Sequence, residues 1–139
     1  MGGFSDYLEK TLLNHVFGGL VYTPPAKLYV GVSLTPIQDD GTGISEPSAA
    51  HGYSRVEIDN IDTSWKEAVV VSGVGRKSND IEITFPEASG NWGTITHFFI
   101  SDSLAGGNVL GYGVLDTARE LLSGDIAKFL VGTLVITLD

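Results

Sequence analysis

The first apolar residues of the chain recur every three to four positions, which is the spacing of one face of an α-helix. Polar residues such as Asp6 and Glu9 occupy positions between them. Ser5 or Asp6 is suited to cap the first turn, and Gly18-Gly19 allows the chain to turn out of the helix. The pattern predicts an amphipathic helix of about three turns with the apolar stripe Phe4, Tyr7, Leu8, Leu12, Leu13, Val16 and Phe17.

After Thr23-Pro24-Pro25 the period changes to two, because the prolines forbid a continuing helix and favour extended chain. Leu28, Val30 and Val32 show the alternation most clearly. Glycine-rich turns separate the segments, and none has the pattern of a crossover helix. The alternation predicts strands within residues 28–32, 53–59, 65–71, 81–85, 92–101, 108–115, 125–131 and 133–138.

Short strands joined by turns favour an all-β fold over a sheet of βαβ units. We expect an antiparallel β-sandwich, a jelly roll of about eight strands, with the short amphipathic α-helix at its N-terminus. One compact domain fits a chain of 139 residues. Within it, residues 1–19 are expected to form the N-terminal helical segment and residues 20–139 the sandwich. The stretch from Thr35 to Gly52 exceeds a hairpin loop and is expected on the surface.

The composition excludes some functions. Seventeen acidic against eight basic residues give a formal charge of −9, which repels nucleic-acid phosphates and anionic lipid heads. No apolar run is long enough for a membrane span, and the first residues do not resemble a signal peptide. The chain has no cysteine, so disulfides and thiolate chemistry are absent. We therefore expect neither nucleic-acid nor membrane binding.

Motifs for catalysis or ligand binding are weak. The histidines at positions 15, 51 and 97 lack metal-ligand spacing, so we expect no metal site. Residues 39–43, Asp-Asp-Gly-Thr-Gly, lack the ligand pattern of a calcium loop and predict a turn. Residues 73–77, Gly-Val-Gly-Arg-Lys, lack the ending of a phosphate-binding loop and predict a strand connection. We expect no catalytic residues, no cofactor and no enzymatic activity. A carbohydrate-binding jelly roll is a third hypothesis, because Trp65 and Trp92 could stack on sugars.

The apolar stripe of the N-terminal helix has two interpretations. The first, which we favour, is that it covers one end or face of its own sandwich. The second is that part of it docks on a neighbouring subunit, as amphipathic segments commonly do. The candidate partner contacts of this second interpretation are Phe4, Tyr7, Leu8, Leu12, Val16, Pro24 and Pro25.

Several segments together resemble, in order along nearly the whole chain, a family of small tailed-phage virion proteins. Members are commonly labelled tail-fibre proteins, and some look like jelly-roll capsid decoration (cement) proteins. The resemblance implies no catalytic residues. The segments that carry it are FSDYLE (4–9), LLNHVFG (12–18), YTPPA (22–26), LYVGVS (28–33), ITFP (83–86), WGTITHF (92–98) and GNVLGYG (107–113).

From this resemblance we expect a structural virion protein made in the host cytoplasm. The first hypothesis is a capsid decoration subunit, a homo-oligomer and possibly a trimer, that clamps adjacent copies of the major capsid protein. The second hypothesis is a tail, baseplate or tail-fibre component with tail or baseplate proteins as partners.

Overall fold

The computed structural model describes residues 2–138, and within that range the chain forms one α-helix, one short 3₁₀ turn and ten strands. The helix α1 spans Asp6–Val16, and the 3₁₀ turn spans Ala49–His51. The strands are β1 (Gly2–Phe4), β2 (Lys27–Ser33), β3 (Val56–Asp59), β4 (Val69–Val71), β5 (Val74–Ser78), β6 (Ile83–Thr84), β7 (Gly93–Ser101), β8 (Val109–Leu121), β9 (Lys128–Phe129) and β10 (Val135–Leu138).

Eight of these strands form one large mixed sheet in the order β3-β2-β7-β8-β1-β10-β5-β4, and β6 pairs with β9 in a second, small sheet. Neighbours in the large sheet are antiparallel except β1 and β10, which are parallel with Gly2 opposite Ile136. The expected all-β, sandwich-like class with one short helix is confirmed. The strands are divided eight and two, however, and not four and four as in a jelly roll.

The hydrophobic core lies between the large sheet and the segments that carry β6 and β9. Val30 and Val32 of β2 and Phe98 of β7 are at most 2% exposed on the inner face of the large sheet. Phe98 meets Phe129 of β9 edge to face at 5.9 Å, so aromatic rings from the two sheets pack directly. The two sheets therefore face each other across the core, as in a sandwich.

A polar clamp covers part of the outer face of the large sheet, over Phe99. The Arg55 guanidinium lies 4.9 Å from the centre of the buried Phe99 ring and donates to both carboxylate oxygens of Glu46, at 2.9 and 3.0 Å. It also donates to the carbonyls of Ser103 (2.7 Å) and Gly106 (2.9 Å). The clamp therefore fastens the irregular stretch 34–52 and the loop 102–108 to the sheet beside β3.

Two strands were not predicted. β1 lies inside the segment expected to be helical, where Gly2 and Gly3 have low strand propensity. A Cβ on Gly2 would lie 2.0 Å from the Tyr112 carbonyl oxygen, so only glycine fits where β1 pairs with β8. Residues 2–4 therefore belong to the sheet. β5 falls in the stretch expected to be a strand connection, since its sequence Val-Gly-Arg-Lys-Ser is mostly polar or glycine.

Candidate interaction surface

The start of α1 is fixed to the sheet. Ser5 is 1% exposed, its hydroxyl donates to the Val109 carbonyl, and its amide donates to the Leu110 carbonyl at 2.9 Å. The same hydroxyl oxygen accepts from the Leu8 amide at 3.3 Å and so caps the helix, as the sequence predicted. These bonds give the helix a defined direction away from β8.

The end of α1 projects into solvent and the chain folds back from it. The Leu20 amide donates to the Asn14 carbonyl (3.0 Å), and the Tyr22 amide donates to Nδ1 of His15 (3.0 Å). Gly18 and Gly19 adopt positive φ angles in this turn. The ring nitrogen of His15 therefore holds the returning chain.

This end of the helix carries the largest exposed apolar cluster of the N-terminal segment. Five side chains are 58–80% exposed, and we call them the N-terminal apolar surface: Leu13, Val16, Phe17, Leu20 and Val21. No residue of α1 is buried, and only Leu8 packs against the core. The favoured interpretation, that the stripe covers its own sandwich, is therefore wrong for Leu13, Val16 and Phe17. Leu12 is half-buried.

The candidate contact residues fall into two places. Phe4, Leu8, Pro24 and Pro25 line an open apolar groove of about 400 Å³, together with Leu28 and Trp65 among others. The remaining three lie on the helix outside the groove walls, where Tyr7 (40%) and Val16 (58%) are exposed and Leu12 is half-buried. The candidate list missed Leu20 and Val21, because their glycine-flanked position breaks the helical period. It also left out Leu13 and Phe17, although the stripe contained them.

A second exposed apolar patch was missed. β4 and β5 form a hairpin at one edge of the large sheet, joined by Ser72 and Gly73, both with positive φ. The β4 valines Val69, Val70 and Val71 are 54%, 75% and 48% exposed. They were predicted as part of a strand, but nothing in the alternation reveals that both faces of this strand are exposed.

The weak motifs have structural roles. Asp40 accepts from the Thr42 amide (3.0 Å) and hydroxyl (2.7 Å), which lowers the pKa of its carboxyl and forms the predicted turn. Burial lowers the pKa of His97. In the described part of the chain no group of three or more His, Cys, Asp or Glu side chains could hold a metal ion. Nor does any helix within residues 2–138 have the length and apolar character needed to cross a membrane.

The tryptophans do not form a sugar platform. Trp65 and Trp92 are only 8% and 3% exposed, and the Trp92 indole donates to the His51 carbonyl at 2.8 Å. Stacking on a sugar requires an exposed ring face, which neither indole offers. The carbohydrate hypothesis therefore loses the residues on which it depended.

The chain is thus a sandwich-like domain with a fixed N-terminal helix that carries exposed apolar side chains. A family model described as "Podophage GP4 fiber I protein gp80" matches residues 3–137, and the chain belongs to this family. It is thus a structural protein of the tailed-phage virion, and the resemblance to such proteins is confirmed at that level. A search of curated proteins found no match.

Proposed function

We propose that the chain is a fibre subunit of a tailed phage and that it acts by docking on a neighbouring subunit, not by catalysis. The observation that carries this proposal is the match of a fibre-protein family over residues 3–137. An enzyme would need a reactive group in a cleft, whereas the conspicuous feature here is exposed apolar surface. We also propose that the chain is made in the host cytoplasm, with neither nucleic acid nor membrane as a partner.

The N-terminal apolar surface is the proposed docking site. Phe17 is 77% and Val21 80% exposed, and burial of such side chains contributes about 25 cal/mol per Å² of apolar area. The hydrogen bonds of Ser5 to β8 hold the helix in place before any partner binds. A preorganised surface loses less conformational entropy on docking than a flexible one.

Capsid decoration is the second candidate, with the major capsid protein as partner. The observation that favours it is the resemblance of the sequence to a family of small tailed-phage virion proteins, some of whose members look like capsid decoration proteins. An acidic chain that does not capture nucleic acid suits either location in the particle. The two candidates share the docking surface and differ in the neighbour.

Immunogold labelling of purified particles tests the location. The fibre proposal predicts gold at the tail end of the particle, and the decoration candidate predicts gold over the whole capsid. Labelling confined to the capsid would overturn the fibre proposal.

The double substitution Val16→Ser and Phe17→Ser tests the docking surface. Both residues are exposed, so folding is retained while incorporation into particles falls. The control is Leu122→Ser, a 46% exposed residue in a loop outside the N-terminal segment. Normal incorporation of the double variant would contradict the proposed docking site. Deletion of residues 1–19 is a poor test, because it also removes β1 from the large sheet.

A further inference from the structure

The β4–β5 hairpin combines exposed apolar residues with positive charge on a strongly acidic chain. Val69 and Val71 line a shallow depression of about 310 Å³ with Lys66, Arg76 and Lys77 and with one carboxylate, Glu67, while the 75% exposed Val70 lies between them on the same strand. Within residues 2–138 the ion pairs engage three other cations, Lys27, Arg55 and Lys128, and none engages the three around the hairpin. Three of the eight basic residues therefore lie around the hairpin, and none of them forms an ion pair with another described residue.

The N-terminal helix combines exposed apolar residues with negative charge. Asp6 and Glu9 lie exposed in the first turn of α1, and the Asp6 amide donates to the Asp39 carbonyl at 2.9 Å, which brings Asp39 and Asp40 beside it. None of these four carboxylates, which we call the acidic rim, takes part in an ion pair of the described residues. One cation, Lys10, lies on the same helix. Glu9 lies one helical turn before Leu13, so the acidic rim reaches the N-terminal apolar surface at that point.

Two patches of one chain are thus apolar and opposite in charge. From these observations we infer that the hairpin of one copy docks on the N-terminal apolar surface and acidic rim of a second copy. The inference rests on the proposed function and names the neighbour of the proposed docking site. The patch dimensions are compatible, because α1 is about 16 Å long and β5 about 17 Å.

Two copies could pair symmetrically, hairpin to hairpin or helix to helix, or head to tail, with the hairpin of one copy on the helix of the other. Their charges decide between these arrangements. A contact between two hairpins would bring two sets of Lys66, Arg76 and Lys77 together, and a contact between two helices would bring together two acidic rims. Both repel, and each copy carries a formal charge of −9, so association requires a contact that opposes unlike charges. Only the head-to-tail contact does so. Such a contact repeats, and it gives a closed ring or a filament of identical chains.

Single-face variants test the inference in the purified full-length chain. Sedimentation velocity of the wild type is expected to show concentration-dependent self-association that weakens with added salt, because the Debye length shortens from about 10 Å at 0.1 M to 3 Å at 1 M. Val70→Asp on the hairpin places a carboxylate opposite the acidic rim, and Phe17→Lys on the helix places an ammonium group opposite the cationic hairpin. Each is expected to weaken self-association by at least about tenfold. The matched control Ile126→Asp alters a 52% exposed residue outside both patches and leaves association unchanged.

Mixing the two variants separates head-to-tail contact from symmetric pairing. The Phe17→Lys chain keeps an intact hairpin and the Val70→Asp chain keeps an intact helix surface, so the mixture forms one-to-one dimers and no larger species. A wild type that remains monomeric, or a mixture that remains monomeric, overturns the inference. If the wild type is monomeric but the Val16→Ser and Phe17→Ser variant is lost from particles, the docking site stands and its neighbour is a different protein. If that variant enters particles normally, the proposed docking function itself fails.

Discussion

At one edge of the large sheet, β3 carries the carboxylates of Glu57 and Asp59, and Lys27 of the adjoining strand bonds to Asp59. At the other edge, β4 consists of three exposed valines. Charged side chains on an edge strand discourage pairing with another chain, and a neutral apolar edge invites it. The difference indicates that the β3 edge is closed to partners and that the β4 edge is available to them.

The contacts that hold the two edges to the rest of the fold differ as well. Next to β3, the Arg55 clamp ties two loops to the sheet with bonds to Glu46, Ser103 and Gly106. Next to β4, the hairpin pairs with β10 through β5, and the Lys66 amide donates to the Ser78 carbonyl of β5 at 2.9 Å. Stability should therefore depend strongly on the β3 side, and assembly on the β4 side. The following substitutions test that division.

The largest expected effect comes from Arg55→Ala. The Arg55 side chain is 7% exposed, and its removal leaves the partly buried Glu46 carboxylate without a counter-charge. Breaking a buried pair in this way costs about 3–5 kcal/mol. Urea denaturation measures the loss. A change below about 1 kcal/mol, the range of exposed ion pairs, would show that the clamp does not stabilise the β3 side.

The next effect comes from Gly31→Ala in β2. A Cβ at this position would lie 2.3 Å from the buried ring of Phe99, so the ring and the Arg55 above it must move. Overpacking of this kind costs about 1–3 kcal/mol. Gly3→Ala in β1 is the matched control, since its nearest contact would be 3.8 Å. Equal unfolding free energies for the two variants would contradict the packing argument.

A small effect is expected on the β4 side. Val70→Thr keeps the β-branched shape of an exposed strand residue, so the free energy of unfolding changes by less than about 0.5 kcal/mol. The same variant should associate more weakly, because the hydroxyl replaces apolar contact area. A loss of stability comparable with that of Gly31→Ala would mean that β4 supports the fold as much as β3 does.

The smallest effect is a pH dependence from His97 of β7. Its folded-state pKa lies below the ordinary value of 6.5 because of burial. The unfolded chain then binds the proton more readily than the folded chain. The stabilising contribution of neutral His97 to the free energy of unfolding is therefore complete above about pH 6.5 and is lost as the pH falls below it. His97→Asn should flatten the wild-type curve of unfolding free energy against pH just below about pH 6.5, and an unchanged curve would count against this explanation.

The sequence predicted the elements that depend on neighbouring residues in the chain. The helix followed from the spacing of Leu8, Leu12 and Val16 with the Ser5 cap, and β2 and β7 followed from alternation. β1 could not be predicted, because its formation depends on β8 and β10, which lie more than a hundred residues away.

The candidate site was predicted only in part, because its exposure also depends on contacts between residues far apart in the chain. The apolar stripe identified the helix, but its exposure depends on where Ser5 bonds to Val109, which the sequence does not encode locally. The clamp joins Arg55 to residues 9, 48 and 51 positions away in the chain. The exposure of Val70 depends on its strand being last in the sheet order.

The central claim is that this chain is a fibre subunit, and its copy number in purified particles tests that claim most directly. Quantitative mass spectrometry of virions gives the ratio of this chain to the major capsid protein. A fibre subunit is confined to the tail, so the account predicts a ratio that is a small fraction of one copy per capsid protein. A ratio near one to one, or another simple ratio expected of a shell-wide lattice, would contradict it and assign the chain to capsid decoration.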